Sequence, residues 1–261
     1  MPLGAVPMRM MPRFAPPMMM MPMTPMMPMM PMMPMMPGFA PRMMMSSTAA
    51  ATGLAGEDVE AVSNVLGFWF GEGGIEEPEA NFPLWFGGSP EGDAKIVDKF
   101  QDLVEEAMGG GLASWEAEDA GRVAKILLLD QLSRNVYRGE AKAFDGDSEA
   151  LRLARAAVAD GMVDRLHPLV SGFVCLPFEH SEDEADQDVS IAQMEAVAAR
   201  AAEGEYPEQI AELTAGFVKF AKDHADIIRQ FGRYPHRNDV LGRESTPEEI
   251  EYLKDADRFG Q

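Results

Sequence analysis

The chain has 261 residues, a formal net charge of −21 and a single cysteine, enough for one sizeable core plus an extension. A lone Cys175 excludes an internal disulfide framework, and so acidic a chain repels nucleic acid and anionic membrane surfaces. No uninterrupted apolar run is long enough to span a bilayer.

Residues 1–55 are of low complexity. Twenty of the 23 methionines lie there, with Pro-Met-Met repeated from Pro25 to Pro37. A proline at every third position suits a polyproline II helix, and such a stretch cannot bury a core. Its only charged residues are Arg9, Arg13 and Arg42, so from Glu57 onward nineteen basic residues face 43 acidic ones, a formal −24. Three readings of this segment stand side by side. One is a mitochondrial or plastid transit peptide, suggested by arginines without acids and the following SSTAAATGLAG. Another is a solvated tail on a cytoplasmic protein. The third is capture of Cu(I) by methionine thioethers, which are soft ligands.

Over residues 56–261 the pattern becomes helical. Val59, Val62, Leu66 and Trp69 recur at three- to four-residue spacing and stop at the Gly71–Gly74 loop. The aromatic run Phe68, Trp69, Phe70, Phe82, Trp85 and Phe86 reads as core packing. Ile96, Val97, Phe100, Leu103, Val104 and Ala107 form one apolar stripe ending at Gly109–Gly111. GRVAKILLLDQL is apolar around most of its circumference, which predicts a buried central helix. Asp147 or Ser148 is the expected cap of a helix through Ala150, Leu151, Ala154 and Val158, stopped by Gly161. Two longer helices are expected over about 184–202 and 207–230. Thr246, Pro247 and Glu249 spell a capping box before a last short helix. No run of alternating β-branched residues occurs, so the domain is expected to be all-α, a single domain of about seven or eight helices.

Three stretches carry the polar chemistry. DQLSRNVYRG brings Asp130, Gln131, Arg134, Asn135 and Arg138 to the end of the buried helix. Asp130 and Arg134 are four apart and can pair on one face, while Arg138 suits free helical carbonyls. LPFEHSED places Glu179 and His180 after Pro177, which is expected to break the preceding helix, with Ser181 or Asp183 capping the next. On that reading a helix N-terminus depresses the pKa of His180. FGRYPHRNDVLGR concentrates Arg233, His236, Arg237, Asn238 and Arg243 in a turn-rich segment. His224 falls on the apolar face of the helix before it. Local donors of this kind either tie down loops or await an anionic ligand. Each histidine has an equally plain alternative role, packing on an aromatic ring and bonding a carbonyl.

Taken together, LLLDQLSRNVYRG, LPFEHSED and FGRYPHRN-x₂-LGR-x-STPEE closely resemble a widespread family known as a domain of unknown function, number 924. VLGFWFG and the Trp-Phe pair at residue 85 match it as well, so the resemblance runs from about Glu57 to Leu253. It implies a helical domain of tetratricopeptide-like, right-handed arrangement, and no reaction established for the family. The family pattern is Asp-Gln-Phe-Pro-Arg-Asn, whereas Leu132 and Ser133 stand here in the place of Phe-Pro.

Several chemistries lack their residues. No histidine has a glutamate three positions before it, as a di-iron bundle needs, and there is no His-Glu-x-x-His, no cysteine pair and no Gly-x-Ser-x-Gly. No metal or other cofactor is therefore expected. Two functional classes survive. One is a small-molecule site for an anionic metabolite, lined by the residues above, with His180, His224 and His236 as catalytic candidates. The other is a protein-interaction module in which the same side chains clamp loops.

Overall fold

A computed structural model describes residues 54–86 and 89–256, and the three readings of the Met/Pro-rich segment fall outside those residues. Among the described residues the secondary structure is helical, without strands. Seven helices have nine or more residues, as the periodicity predicts: α1 (Gly56–Phe70), α3 (Pro90–Met108), α4 (Asp119–Leu127), α6 (Asp147–Ala159), α8 (Pro168–Glu179), α9 (Glu184–Glu203) and α10 (Glu208–Phe231). Short helices fill the connections, namely α2 (Phe82–Phe86), α5 (Ser133–Val136), α7 (Met162–Arg165) and α11 (Pro247–Tyr252). No helix among the described residues is long and apolar enough to cross a membrane.

α1, α3 and α10 bury much of the face their sequences mark, whereas α6 buries Ala150, Leu153, Ala154 and Ala157 and leaves the expected Leu151 and Val158 half-buried. α3 starts at a Ser89 side chain that accepts from Gly92 N–H, follows with Pro90 in its first turn, and buries Ile96, Phe100, Val104 and Ala107. Three members of the aromatic run pack around Phe173 of α8, whose ring centroid lies 4.8 Å from Trp85, 5.5 Å from Phe70 and 5.6 Å from Trp69. Phe217 of α10 closes the same cluster 5.8 Å from Phe173. Gly172 makes that approach possible, because a Cβ there would lie 2.5 Å from the Phe217 ring. α8 thus sits in the core between α10 and the N-terminal helices, and α9 packs on both α8 and α10.

α4 is the buried central helix. Val123, Ala124, Ile126, Leu127, Leu128 and Leu129 are all buried, and even Lys125 is only 1 % exposed, its ammonium held 2.7 Å from Glu116. The helix does not run straight into α5. Over Leu128–Leu132 it widens into a π turn, which inserts one residue per turn and rotates the side chains that follow. Gly146 packs directly on this turn, so closely that a Cβ on it would lie 2.5 Å from the Leu129 carbonyl oxygen.

Several expected boundaries shift. Pro177 does not break α8; it sits in the last turn, and the helix runs on to Glu179. A proline there forfeits one hydrogen bond, which the packing of a wholly buried helix outweighs. His180 is consequently the C-cap of α8, while α9 begins four residues later on an Asp183 cap. Gly146 takes the N-cap position of α6, and Asp147 is its first helical residue, contributing no cap bond. The Thr246–Glu249 capping box forms as its spelling predicts.

Candidate functional site

The π turn points Asp130 into the interior, where it is wholly buried. Its carboxylate accepts from Gln131 Nε2 at 2.6 Å and lies 2.6 Å from His180 Nδ1. Arg134 donates to the Asp130 carbonyl, as four-residue spacing on a helix permits, and its guanidinium is 3.7 Å from the Asp130 carboxylate. Burial opposes the charge on Asp130, but His180, Arg134 and the donated hydrogen bonds outweigh it and hold the carboxyl down to about 2. Burial also pushes the His180 pKa below its ordinary value, with the cations Arg134 and Arg237 adding to that against the pull of Asp130. An ionised Asp130 beside a neutral His180 fixes the ring proton on Nδ1, leaving the lone pair on Nε2.

Arg237 completes this group. It is buried, with its guanidinium 4.4 Å from the Tyr234 ring centroid and 4.8 Å from that of Phe144. One Nη donates to the His180 carbonyl at 3.0 Å, which secures the backbone of that histidine. Asp147, at the start of α6, is shared: it is 3.0 Å from Arg134 and 3.5 Å from Arg237. The Arg237 Nε is buried and makes no hydrogen bond. Desolvation, with repulsion from Arg134, lowers the Arg237 pKa, so this guanidinium is the least compensated cation of the group.

His180 and Arg237 open onto a cleft of about 300 Å³, lined besides by Phe144, Asp147, Ser148, Leu151, Pro177, Ser181, Glu182 and Leu241. Phe144, Leu151, Pro177 and Leu241 give the lining an apolar part, and the other lining residues are polar. The sequence stretches singled out His180 and Arg237 but passed over Asp147 as a helix cap and Phe144 altogether. No local spacing marks either residue, since both earn their place by lying across from residues on other helices.

The remaining candidates are placed elsewhere. Arg233 forms a two-pronged pair with Glu249 at 2.6 and 2.7 Å, and Asn238 donates to the same carboxylate and to Ser245. Those three tie the loop after α10 to the capping box of α11, away from the cleft. Arg243 pairs with Glu182 at 2.6 and 3.0 Å and bonds the Tyr234 carbonyl. Asn135 and Arg138 both grip Asp93 of α3, at 2.9 and 2.7 Å. Asn135 is therefore a helix-to-helix clamp.

His224 lies behind the cleft. Its Nδ1 bonds the Phe220 carbonyl at 2.8 Å and lies 3.3 Å from Glu179, and burial pushes its pKa down to about 3. His236 packs against Tyr234, 5.4 Å between ring centroids, and burial lowers it to about 4. The expected helix N-terminus at His180 is replaced by a C-cap, so the lowering of its pKa comes from desolvation instead of from a dipole. Cys175 is buried in the core, where desolvation pushes its thiol up to about 12. Among the described residues no group of three or more His, Cys, Asp and Glu side chains is placed to hold a metal ion.

Glu179 is a buried carboxyl with one oxygen unpartnered, and burial, with Asp130 and Asp223 nearby, raises it to about 8. It binds a proton in the folded protein that the unfolded chain releases near the ordinary value of 4.5. Its contribution is thus fully present below that value and is lost as pH rises through about 8. Glu179→Gln is expected to melt higher than wild type, by a margin that widens across this window. Melting curves over the pH range check it, and a constant difference would refute the shifted carboxyl.

Comparison with known proteins places the chain in context. No match is found among curated proteins. The solved structure of a protein of unknown function from Agrobacterium tumefaciens, ATU0120, is similar at 29 % identity and a TM-score of 0.61, over 76 % of this chain and 99 % of that one. The family model described as "Bacterial protein of unknown function (DUF924)" matches residues 65–257, which hold every residue of the cleft. The chain belongs to the DUF924 family.

Proposed function

We propose that the cleft beside His180 is a binding site for a small anionic metabolite, held chiefly by Arg237. The observation that carries this reading is the state of that guanidinium. It is buried, it stacks between Phe144 and Tyr234, its Nε has no partner, and the carboxylate within ion-pair reach among the described residues, Asp147, sits 3.5 Å away and closer to Arg134. Burying a guanidinium with so little pairing is costly, and a domain this acidic has carboxylates in plenty with which to pair it fully. Arg233 and Arg138 are paired in just that way, each through its Nε and an Nη to a single carboxylate. Ser148, in the first turn of α6, adds a hydroxyl donor to the lining of the cleft, while Asp147 beside it is an acceptor already shared between Arg134 and Arg237.

The test is thermal stability of wild type and Arg237→Gln against a panel of phosphorylated and carboxylated metabolites. A ligand at about a hundred times its Kd stabilises by roughly 2.7 kcal/mol, which the wild type is expected to register as a rise in Tm and the variant is not. Should no anion shift the wild type, the Arg and His residues are loop clamps and an interaction module becomes the better reading.

A further inference from the structure

We infer that the ligand of this cleft is an oxyanion carrying its own O–H, whose anionic oxygens are held by Arg237 and whose proton is accepted by His180 Nε2. The inference rests on the anion-site reading above and adds the chemistry of the second contact. Of the four histidines, His180 is the one that lines the cleft. Its Nδ1 is committed to Asp130 at 2.6 Å, and Asp130 is wholly buried on the far side of the ring. Nε2 makes no hydrogen bond within the protein and the His180 side chain is 16 % exposed, whereas Arg237 Nε is buried without a partner.

A carboxylate that takes the Nδ1 proton leaves Nε2 an acceptor, so the cleft offers a cation and a lone pair side by side. A ligand with acceptor oxygens alone satisfies the guanidinium and sets its lone pairs against Nε2. A ligand with an additional O–H satisfies both. Hydrogen phosphate has that pattern, as does a carboxylate with a hydroxyl on the neighbouring carbon. Should the proton cross fully, the O–H bond breaks, Nε2 gains the proton, and the imidazolium formed lies against ionised Asp130. The step is redox-neutral and reversible, and it draws on no co-reactant. His180 is then the group that touches the ligand, and Asp130 is a positioning residue. The apolar part of the lining, from Phe144, Leu151, Pro177 and Leu241, leaves room for an organic body beyond the anion.

Phosphate and sulfate separate the two contacts, because at neutral pH phosphate always keeps an O–H and sulfate has none. Calorimetric titration of the full chain with each salt, at matched ionic strength, is expected to give phosphate an advantage of roughly tenfold, the worth of one hydrogen bond. Lactate is expected to outbind propionate in the same way, and comparing the two pairs tells a phosphate ligand from a hydroxy acid. Asp130→Asn turns the acceptor into an amide that donates to Nδ1, which moves the ring proton to Nε2. In that variant the phosphate preference is expected to vanish or invert, with the tautomer read from the ¹⁵N shifts of His180. His180→Gln provides a second route should Asp130→Asn fold poorly, and is expected to keep sulfate binding while losing the preference. Equal affinity for phosphate and sulfate in the wild type overturns the inference, as does a preference that survives in either variant. Failure of both anions to bind the wild type instead overturns the anion site itself.

Discussion

Arg134→Ala is expected to destabilise the domain by about 3 kcal/mol, because it leaves the wholly buried Asp130 without its only permanent cation. For a domain of this size that corresponds to a fall in Tm of roughly 6–12 °C. The loss has three parts. The Asp130 carbonyl gives up its guanidinium donor, the Asp130 carboxylate keeps only Gln131 and a neutral His180, and Asp147 retains Arg237 alone. Asp130 and His180 must then share a proton to lower the buried charge, so the pKa of His180 is expected to rise in the variant. Arg138→Ala is the matching control. Its pair with Asp93 is a third exposed, and a bridge of that kind is worth about 1 kcal/mol or less. Chemical denaturation of both variants checks the contrast. An Arg134→Ala protein as stable as Arg138→Ala would show that Asp130 does not depend on the guanidinium.

Gly146→Ala is expected to cost about 1–3 kcal/mol and to abolish the response to anions together with it. The added Cβ would lie 2.5 Å from the carbonyl oxygen and 3.1 Å from the Cα of Leu129. Both are backbone atoms of the π turn, so no side-chain rotation relieves the clash and α6 must move. Asp147 is the next residue, and its distances to Arg134 and Arg237 depend on where α6 begins. The physical claim is that a single close approach positions both halves of the site. Gly216→Ala, in the interior of α10 with no atom within 4 Å of the new Cβ, is expected to gain roughly 0.5–1 kcal/mol instead, from the lower chain entropy of alanine. Equal effects of the two substitutions would remove the steric argument.

Local pattern was sufficient for the helices. The stripes of α1, α3 and α10, the capping box at Thr246 and the crowded face of α4 each follow from spacing of apolar side chains over a few turns, which depends on neighbours in the chain alone. The polar stretches that build the cleft were legible for the same reason, as clusters of uncommon donors in DQLSRN, PFEHSED and RYPHRN. What the pattern did not separate was the arginine that is spent from the arginine that is not. Arg233 and Arg237 are four residues apart in one segment, yet one faces Glu249 squarely and the other has only a distant share in Asp147. Glu249 lies 16 residues beyond Arg233, and Asp147 lies far back in the chain from Arg237, on helices whose mutual packing no local spacing encodes. The π turn belongs with them: Gly146, from a later part of the chain, packs directly on Leu129, and Pro177 stays helical within a largely buried helix. The amino-acid sequence by itself determined which segments coil and which donors cluster. Only the tertiary structure decided which of those donors meet a carboxylate, because pairing across a core depends on the geometry of several helices at once.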